Sequence, residues 1–137
     1  QMAYGLSVCD ILKISDNEIQ WFSGKEDYTE GIHMLQQTYQ IPLILLSMGR
    51  DGSRAYYKDM LVEVPAFLQK NTIETTGAGD TFGACCLHHI LKYGLDNLTK
   101  QQLKEMLTFA NAAASIITTR KGALRVMPSL EEIQRLL

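Results

Sequence analysis

Apolar residues recur along this chain at two spacings, and the changes between them mark out strands and helices. A helix ends within residues 2–8, and Asp10 to Ile14 reads as a short strand. Ser15 with Glu18 three residues on makes a capping box, which opens a helix that Gly24 closes. Residues 26–38 put Ile32, Leu35 and Tyr39 on one helical face. Pro42-Leu43-Ile44-Leu45-Leu46-Ser47 is apolar without alternation, as in a strand covered on both faces. Gly49 to Gly52 reads as a turn, Ser53 to Lys58 as a returning strand, and Leu61 to Val64 as another, stopped by Pro65. Asp80 to Tyr93 predicts a helix closed by Gly94. Thr99 with Gln102 opens a longer one that runs to about Thr118 through the small residues Ala110 and Ala112 to Ala114. Pro128-Ser129 with Glu132 opens the last, with Leu130, Ile133 and Leu137 expected inward. Trp21 and Phe22 are expected in the core. Strands alternating with helices imply an α/β layered fold, and the turns around Gly52 and Asp59 add antiparallel strands, so the sheet is mixed.

Composition narrows the reading. At 137 residues, 46% of them hydrophobic, the chain suits one packed domain. A formal net charge of −2 gives no electrostatic ground for nucleic acid or an anionic membrane as partner. No apolar run approaches the ~20 residues of a membrane-crossing helix. Cys9, Cys85 and Cys86 fit neither a disulfide framework nor a zinc spacing, which points to a reducing compartment and a cytoplasmic protein. His88 and His89 are sequence neighbours on a helix and do not share a face, so they make no metal pair.

The chemistry concentrates at Glu74-Thr75-Thr76-Gly77-Ala78-Gly79-Asp80-Thr81-Phe82, where a strand-like segment gives way to a helix. Glycines let backbone N–H groups approach a ligand, and a helix N-terminus adds free donors and partial positive charge. An anion site follows. Asp80 beside it would repel an anion unless it receives a proton from a hydroxyl attacking a bound phosphate. The same spacing also suits a plain strand–helix turn with Asp80 favouring the helix dipole. The run is not a P-loop, since no Lys-Ser/Thr follows, and not a dinucleotide fingerprint, since Gly83 falls at the wrong spacing.

That run resembles the D-T-x-G-A-G-D-x-F signature of the PfkB carbohydrate kinases, the family of ribokinase and fructokinase, with Glu74 where the family has Asp. Lys13-Ile14-Ser15 with Glu18 resembles the strand and N-x-x-E element of its fructokinase-like members, with Ser15 for Asn. Ser47-Met48-Gly49-Arg50-Asp51-Gly52-Ser53 resembles the nucleotide turn, and Asn111-Ala112-Ala113-Ala114 with Thr119 to Ala123 the last long helix and its loop. The resemblance implies a ribokinase-like layered fold with a mixed, mostly parallel sheet. It covers the C-terminal part of the family's pattern, so residues 1–137 are expected to be the C-terminal nucleotide-binding and catalytic portion of a single sugar kinase domain. The chain, opening on Gln1, reads as a fragment that lacks most sugar contacts and the β lid through which many members dimerise.

By the same resemblance the activity is phosphoryl transfer from ATP to a sugar hydroxyl. Asp80 is the base, and the amides of Gly77, Ala78, Gly79 and Asp80 form the anion hole. Ser47, Gly49, Gly52 and Asn111 hold the nucleotide. Glu18 bears on Mg²⁺ through water, and Glu74 on a monovalent cation, K⁺. Bland alternatives stand beside these: a capping role for Glu18, a hairpin turn at Gly52, and an internal hydrogen bond for Asn111. A non-catalytic nucleotide-binding relative, and kinases of ribose, 2-keto-3-deoxygluconate or a nucleoside, are the competing readings.

Overall fold

The computed structural model describes residues 1–137 and lays down α1 (Met2–Ser7), β1 (Ile11–Ser15), α2 (Asp16–Ser23), α3 (Tyr28–Tyr39), β2 (Leu43–Ser47), β3 (Ser53–Tyr57), β4 (Met60–Val64), α4 (Ala78–Tyr93), α5 (Lys100–Ile117) and α6 (Leu130–Leu136). Local chemistry sets the boundaries. Ser15, Thr99 and Ser129 each cap a helix in a complete capping box, with Glu18, Gln102 and Glu132 returning the bond. Gly24 ends α2 in a left-handed conformation.

The strands form one sheet in the order β1-β2-β3-β4. β1 and β2 are parallel, while β2–β3 and β3–β4 are antiparallel. The expected mostly parallel sheet is therefore corrected: one strand pair is parallel and two are antiparallel. The reason is connection length. A turn through Gly49–Asp51 and the two residues Lys58 and Asp59 can only reverse the chain, and only the α2–α3 crossover is long enough for a parallel return.

β2 is buried on both faces, as its unbroken apolar run requires. Leu43 and Leu45 join Ala55, Tyr57, Phe82, Leu103 and Leu107 beneath α4 and α5, whereas Ile44 and Leu46 join Ile19, Ile32, Leu35 and Tyr56 beneath α2 and α3. Each such side chain, fully buried, contributes about 1.5–3 kcal/mol. Two sequence expectations fail here. Trp21 is 75% exposed, because Ile19 takes the inward face of α2 and only Phe22, three residues on, shares it. Leu130 and Leu137 are also exposed; Ile133 with Leu136 forms the inward face of α6.

Candidate active site

A cavity of about 580 Å³ opens at the C-terminal ends of β1 and β2. Ligands in open α/β sheets bind at such ends. Ser15 and Ser47 lie there side by side, and Ser53 continues the row on β3. The opposite wall is the start of α4, Ala78 and Gly79, with Phe82 one turn on. α5 contributes Asn111 and Ala114, and the segment after β4 contributes Phe67, Gln69 and Thr72. Two cations, Lys13 and Arg50, face it against one carboxylate, Asp16, so the cavity is cationic in a chain of net charge −2.

The start of α4 has the donors of an anion site. Gly77 caps the helix with φ +79, and the Thr81 N–H donates to its carbonyl at 2.9 Å. The N–H groups of Gly77, Gly79 and Asp80 donate to no protein acceptor. The Ala78 N–H donates to the Thr75 carbonyl at 3.1 Å, so Ala78 drops out of the expected four-amide set and the free set is three. α4 begins two residues before Asp80, not at it. Asp80 follows the wall residues and is exposed, with its carboxylate outside the cavity lining.

Ser47, Gly49, Gly52 and Asn111 all line the cavity. Two of them also have work inside the protein. A Cβ on Gly52 would stand 2.1 Å from the Val64 carbonyl oxygen, so the chain's own backbone demands glycine there. The Asn111 Nδ2 donates to the carbonyls of Val64 and Pro65 at 3.2 and 3.1 Å, which leaves its Oδ1 as the free polar atom.

Glu18 is held below the ordinary carboxylate range, chiefly by the Ser15 backbone N–H (2.7 Å to Oε2), then by the Ser15 hydroxyl and by Lys13. It is charged and exposed, with Oε1 free of protein hydrogen bonds. Mg²⁺ keeps several waters and takes one or two carboxylates beside phosphate oxygens. Asp16 lines the cavity and Glu18, two residues on, does not, so Glu18 would serve such an ion only through water. Glu74 Oε1 accepts from the Gly122 N–H at 2.7 Å, and the Ile73 and Glu74 amides both donate to the Thr118 carbonyl. The strand-to-helix segment and the loop after α5 are thus tied together, and the second oxygen of Glu74 is free for a cation.

Sequence reasoning gave no site role to Lys13, Asp16, Arg50 or the segment Ala66 to Thr72. Lys13 carried a signal, being a charged residue inside an apolar strand on the same face as Ser15. Burial pushes the Cys85 thiol up to about 11 and Cys86 higher still, which keeps both protonated and chemically quiet.

Strand ends, a helix start with free amides and a cationic wall meet at one cavity of this α/β protein. Residues 1–130 match the sequence pattern of the pfkB family carbohydrate kinases. The chain is 32% identical over 128 residues to Fructokinase-1 of Zea mays, covering 93% of this chain and 39% of the maize protein. It is 33% identical over 131 residues to a fructokinase of Klebsiella pneumoniae, covering 95% and 42%. Its fold matches a crystal structure of fructokinase from Vibrio cholerae O395 with fructose, ADP and calcium ion bound, at TM-score 0.86 and 25% identity, over 98% of this chain and 42% of that one. It matches an Arabidopsis thaliana ribokinase complexed with ribose and ATP at TM-score 0.82 and 25% identity, over the same shares. The chain belongs to the pfkB family of carbohydrate kinases. It spans about two fifths of the length of the curated relatives it matches.

Proposed function

We propose that this chain is the nucleotide-binding and phosphoryl-transferring part of a sugar kinase that uses ATP and a fructose-like acceptor. One observation carries the reading: the start of α4, where three amides have no protein acceptor, puts Ala78 and Gly79 into the wall of a cationic cavity, and Asp80 follows directly. Phosphoryl transfer asks mainly for positioning and charge stabilisation, since the transition state is loose. The amides of Gly77, Gly79 and Asp80 stabilise charge as it develops, and one preorganised donor of this kind is worth about 3 kcal/mol. Asp80 accepts the acceptor hydroxyl's proton as the oxygen–phosphorus bond forms and the bond to the leaving ADP breaks. Asp80 is exposed and so open to an acceptor. Ser47, Gly49, Gly52 and Asn111 hold the nucleotide, Glu18 orients the waters of Mg²⁺, and Glu74 contributes to a K⁺ site. Fructose is favoured because the relatives matched along most of this chain are named fructokinases.

The test is a coupled ADP-release assay on the full-length protein with a panel of sugars. Turnover with fructose is expected, and Asp80→Asn should bind ATP as wild type does while turnover falls by about 10²–10⁴-fold. Near-normal turnover in Asp80→Asn removes the base. No turnover with any sugar, alongside intact ATP binding, favours a nucleotide-binding relative without catalysis.

A further inference from the structure

A second cavity, of about 300 Å³, lies on the other face of the sheet from the candidate active site. It also lies at the other end of the strands, by the turn that joins β3 to β4. Thr29, His33 and Gln36, spaced four and three residues apart along one face of α3, contribute one side. Lys58 and Asp59 of the turn contribute another, with Tyr56 of β3 and its cross-strand partner Leu61. None of these residues lines the first cavity.

One group in this lining lacks what burial demands. Tyr56 is 4% exposed, and its hydroxyl, shut off from solvent, has no hydrogen-bond partner. Its neighbour Tyr57, on the opposite face, shows the usual outcome: that hydroxyl donates to the Leu95 carbonyl at 2.5 Å. The Arg54 guanidinium stands beside the Tyr56 hydroxyl, but arginine has only donors, so the phenolic proton still lacks an acceptor. Buried polar groups are ordinarily satisfied, and one that is not asks for a partner from outside the chain. The rest of the Tyr56 surroundings is apolar packing against Ile44, Leu46 and Leu35, so the cavity is where that partner belongs. Thr29, His33 and Gln36 reach water and make no such demand. Lys58 donates to the Asp96 carbonyl at 2.6 Å and keeps two further N–H groups.

The lining also states the chemistry of the partner. Lys58 and Asp59 cancel, so no net charge is selected. Gln36 and His33 both donate and accept, Asp59 only accepts, and Lys58 donates. Several hydroxyls on one molecule, each donor and acceptor, match a set so mixed. The volume stands at the lower end for small-molecule sites, which suits a monosaccharide and is tight for a nucleotide. We propose that this cavity is a second binding site, for a neutral polyhydroxylated molecule of monosaccharide size, one hydroxyl of which accepts the Tyr56 proton. The site goes beyond the kinase reading and does not depend on it.

The test is nuclear magnetic resonance on the full-length protein, reading the His33 ring signals during titration with glucose, fructose or inorganic phosphate. Wild type, Tyr56→Phe, Gln36→Leu and Asp80→Asn are compared. In wild type a sugar should move the His33 signals with a dissociation constant of about 1 mM, and phosphate should not. Asp80→Asn should leave that constant unchanged, which separates this site from any sugar bound for phosphorylation. Tyr56→Phe should weaken the sugar about tenfold through loss of one neutral hydrogen bond. Its melting temperature without sugar should be unchanged or higher, since an unpartnered buried donor is removed. Gln36→Leu, at a half-buried position, should weaken the sugar as well. His33 signals that neither sugar moves, or that phosphate alone moves, overturn the proposal. A less stable Tyr56→Phe without sugar shows the hydroxyl already used within the protein and overturns it too, as does binding indifferent to both Tyr56→Phe and Gln36→Leu. Turnover enters none of these readings, so the outcome is separate from that of the proposed kinase activity.

Discussion

Two glycines at the site answer different physical demands, and single substitutions separate them. Gly77 needs its left-handed φ of +79, and a Cβ there would press on Ala123 at 3.2 Å. Gly52 makes room for backbone: besides Val64 O, a Cβ would meet Ala66 N and the Pro65 carbonyl carbon at 2.8 Å each, at φ +99. Neither neighbour can retreat without breaking the β3–β4 pairing, in which Ser53 lies opposite Val64. Gly52→Ala should therefore destabilise by more than about 3 kcal/mol, as overpacking adds to strain. Urea denaturation measures it, and a loss under about 1 kcal/mol would show the turn to be plastic. Glu18 makes a prediction in pH. Its carboxyl titrates lower in the folded chain than in the unfolded one, so the unfolded state binds the extra proton as pH falls. Its contribution is present above the ordinary carboxylate range near 4.3 and is lost as pH drops through the folded value. In denaturation at pH 6 and pH 3, wild type should lose more stability than Glu18→Gln. The margin should stay below about 1 kcal/mol because the group is exposed. An equal loss in the two proteins would remove the capping contribution. The residue types at Gly52 and Glu18 were legible in the sequence, but the reason at Gly52 was not, because it depends on a strand that lies twelve residues further on.

At the scale of elements, local rules carried far. Each of the three capping boxes stands where Ser or Thr precedes Glu or Gln by three residues, and each opens a helix. The apolar run of β2 is doubly buried, as its lack of alternation implies. What local rules did not carry was the partner of a polar residue inside a helix. Asn111 looked equally suited to a ligand and to the protein, and its amide turns out to tie α5 to the end of β4 across 46 residues of chain. Asn111 thereby holds the turn that begins the cavity-lining segment at Ala66. Asn111→Ala should then cost about 1–3 kcal/mol in stability through the unpaired acceptors. Because the segment carrying Phe67 and Gln69 loses its anchor, nucleotide affinity should fall as well. Denaturation and calorimetry on one preparation read both effects. A variant as stable as wild type with weaker binding would instead make Asn111 a ligand contact alone.

At the scale of the molecule, the anion site is assembled from pieces far apart in sequence: the ends of β1 and β2, the start of α4, one face of α5, and the segment from Ala66 to Thr75. Before Glu74 that segment has neither period nor charge pattern, so nothing in the sequence tied residues 66–73 to the site. One sheet edge and several apolar side chains are exposed. β1 pairs on one side only, with β2, and parallel strands are ordinarily covered at edge and face. α1 buries none of its residues, and Met2 and Tyr4 within it and Val8 at its end are all more than half exposed. Trp21 and Leu91 stand out of the surface at 75% and 87%. The matched relatives are more than twice as long as this chain, and Asp80 is exposed, outside the cavity lining. From this follows a separation of functions. The 137 residues alone keep the amides, Lys13 and the cavity, and should bind ATP measurably. They should transfer no phosphoryl group to fructose, because nothing orients the acceptor oxygen against the bound phosphate, and orientation alone is worth about 7–11 kcal/mol of barrier. The exposed edge of β1 with the apolar residues around α1 should also make the isolated piece self-associate, visible as a concentration-dependent mass in light scattering. Fructose phosphorylation by the isolated 137 residues at a rate comparable with the full-length protein would contradict the division of labour between acceptor and nucleotide sides.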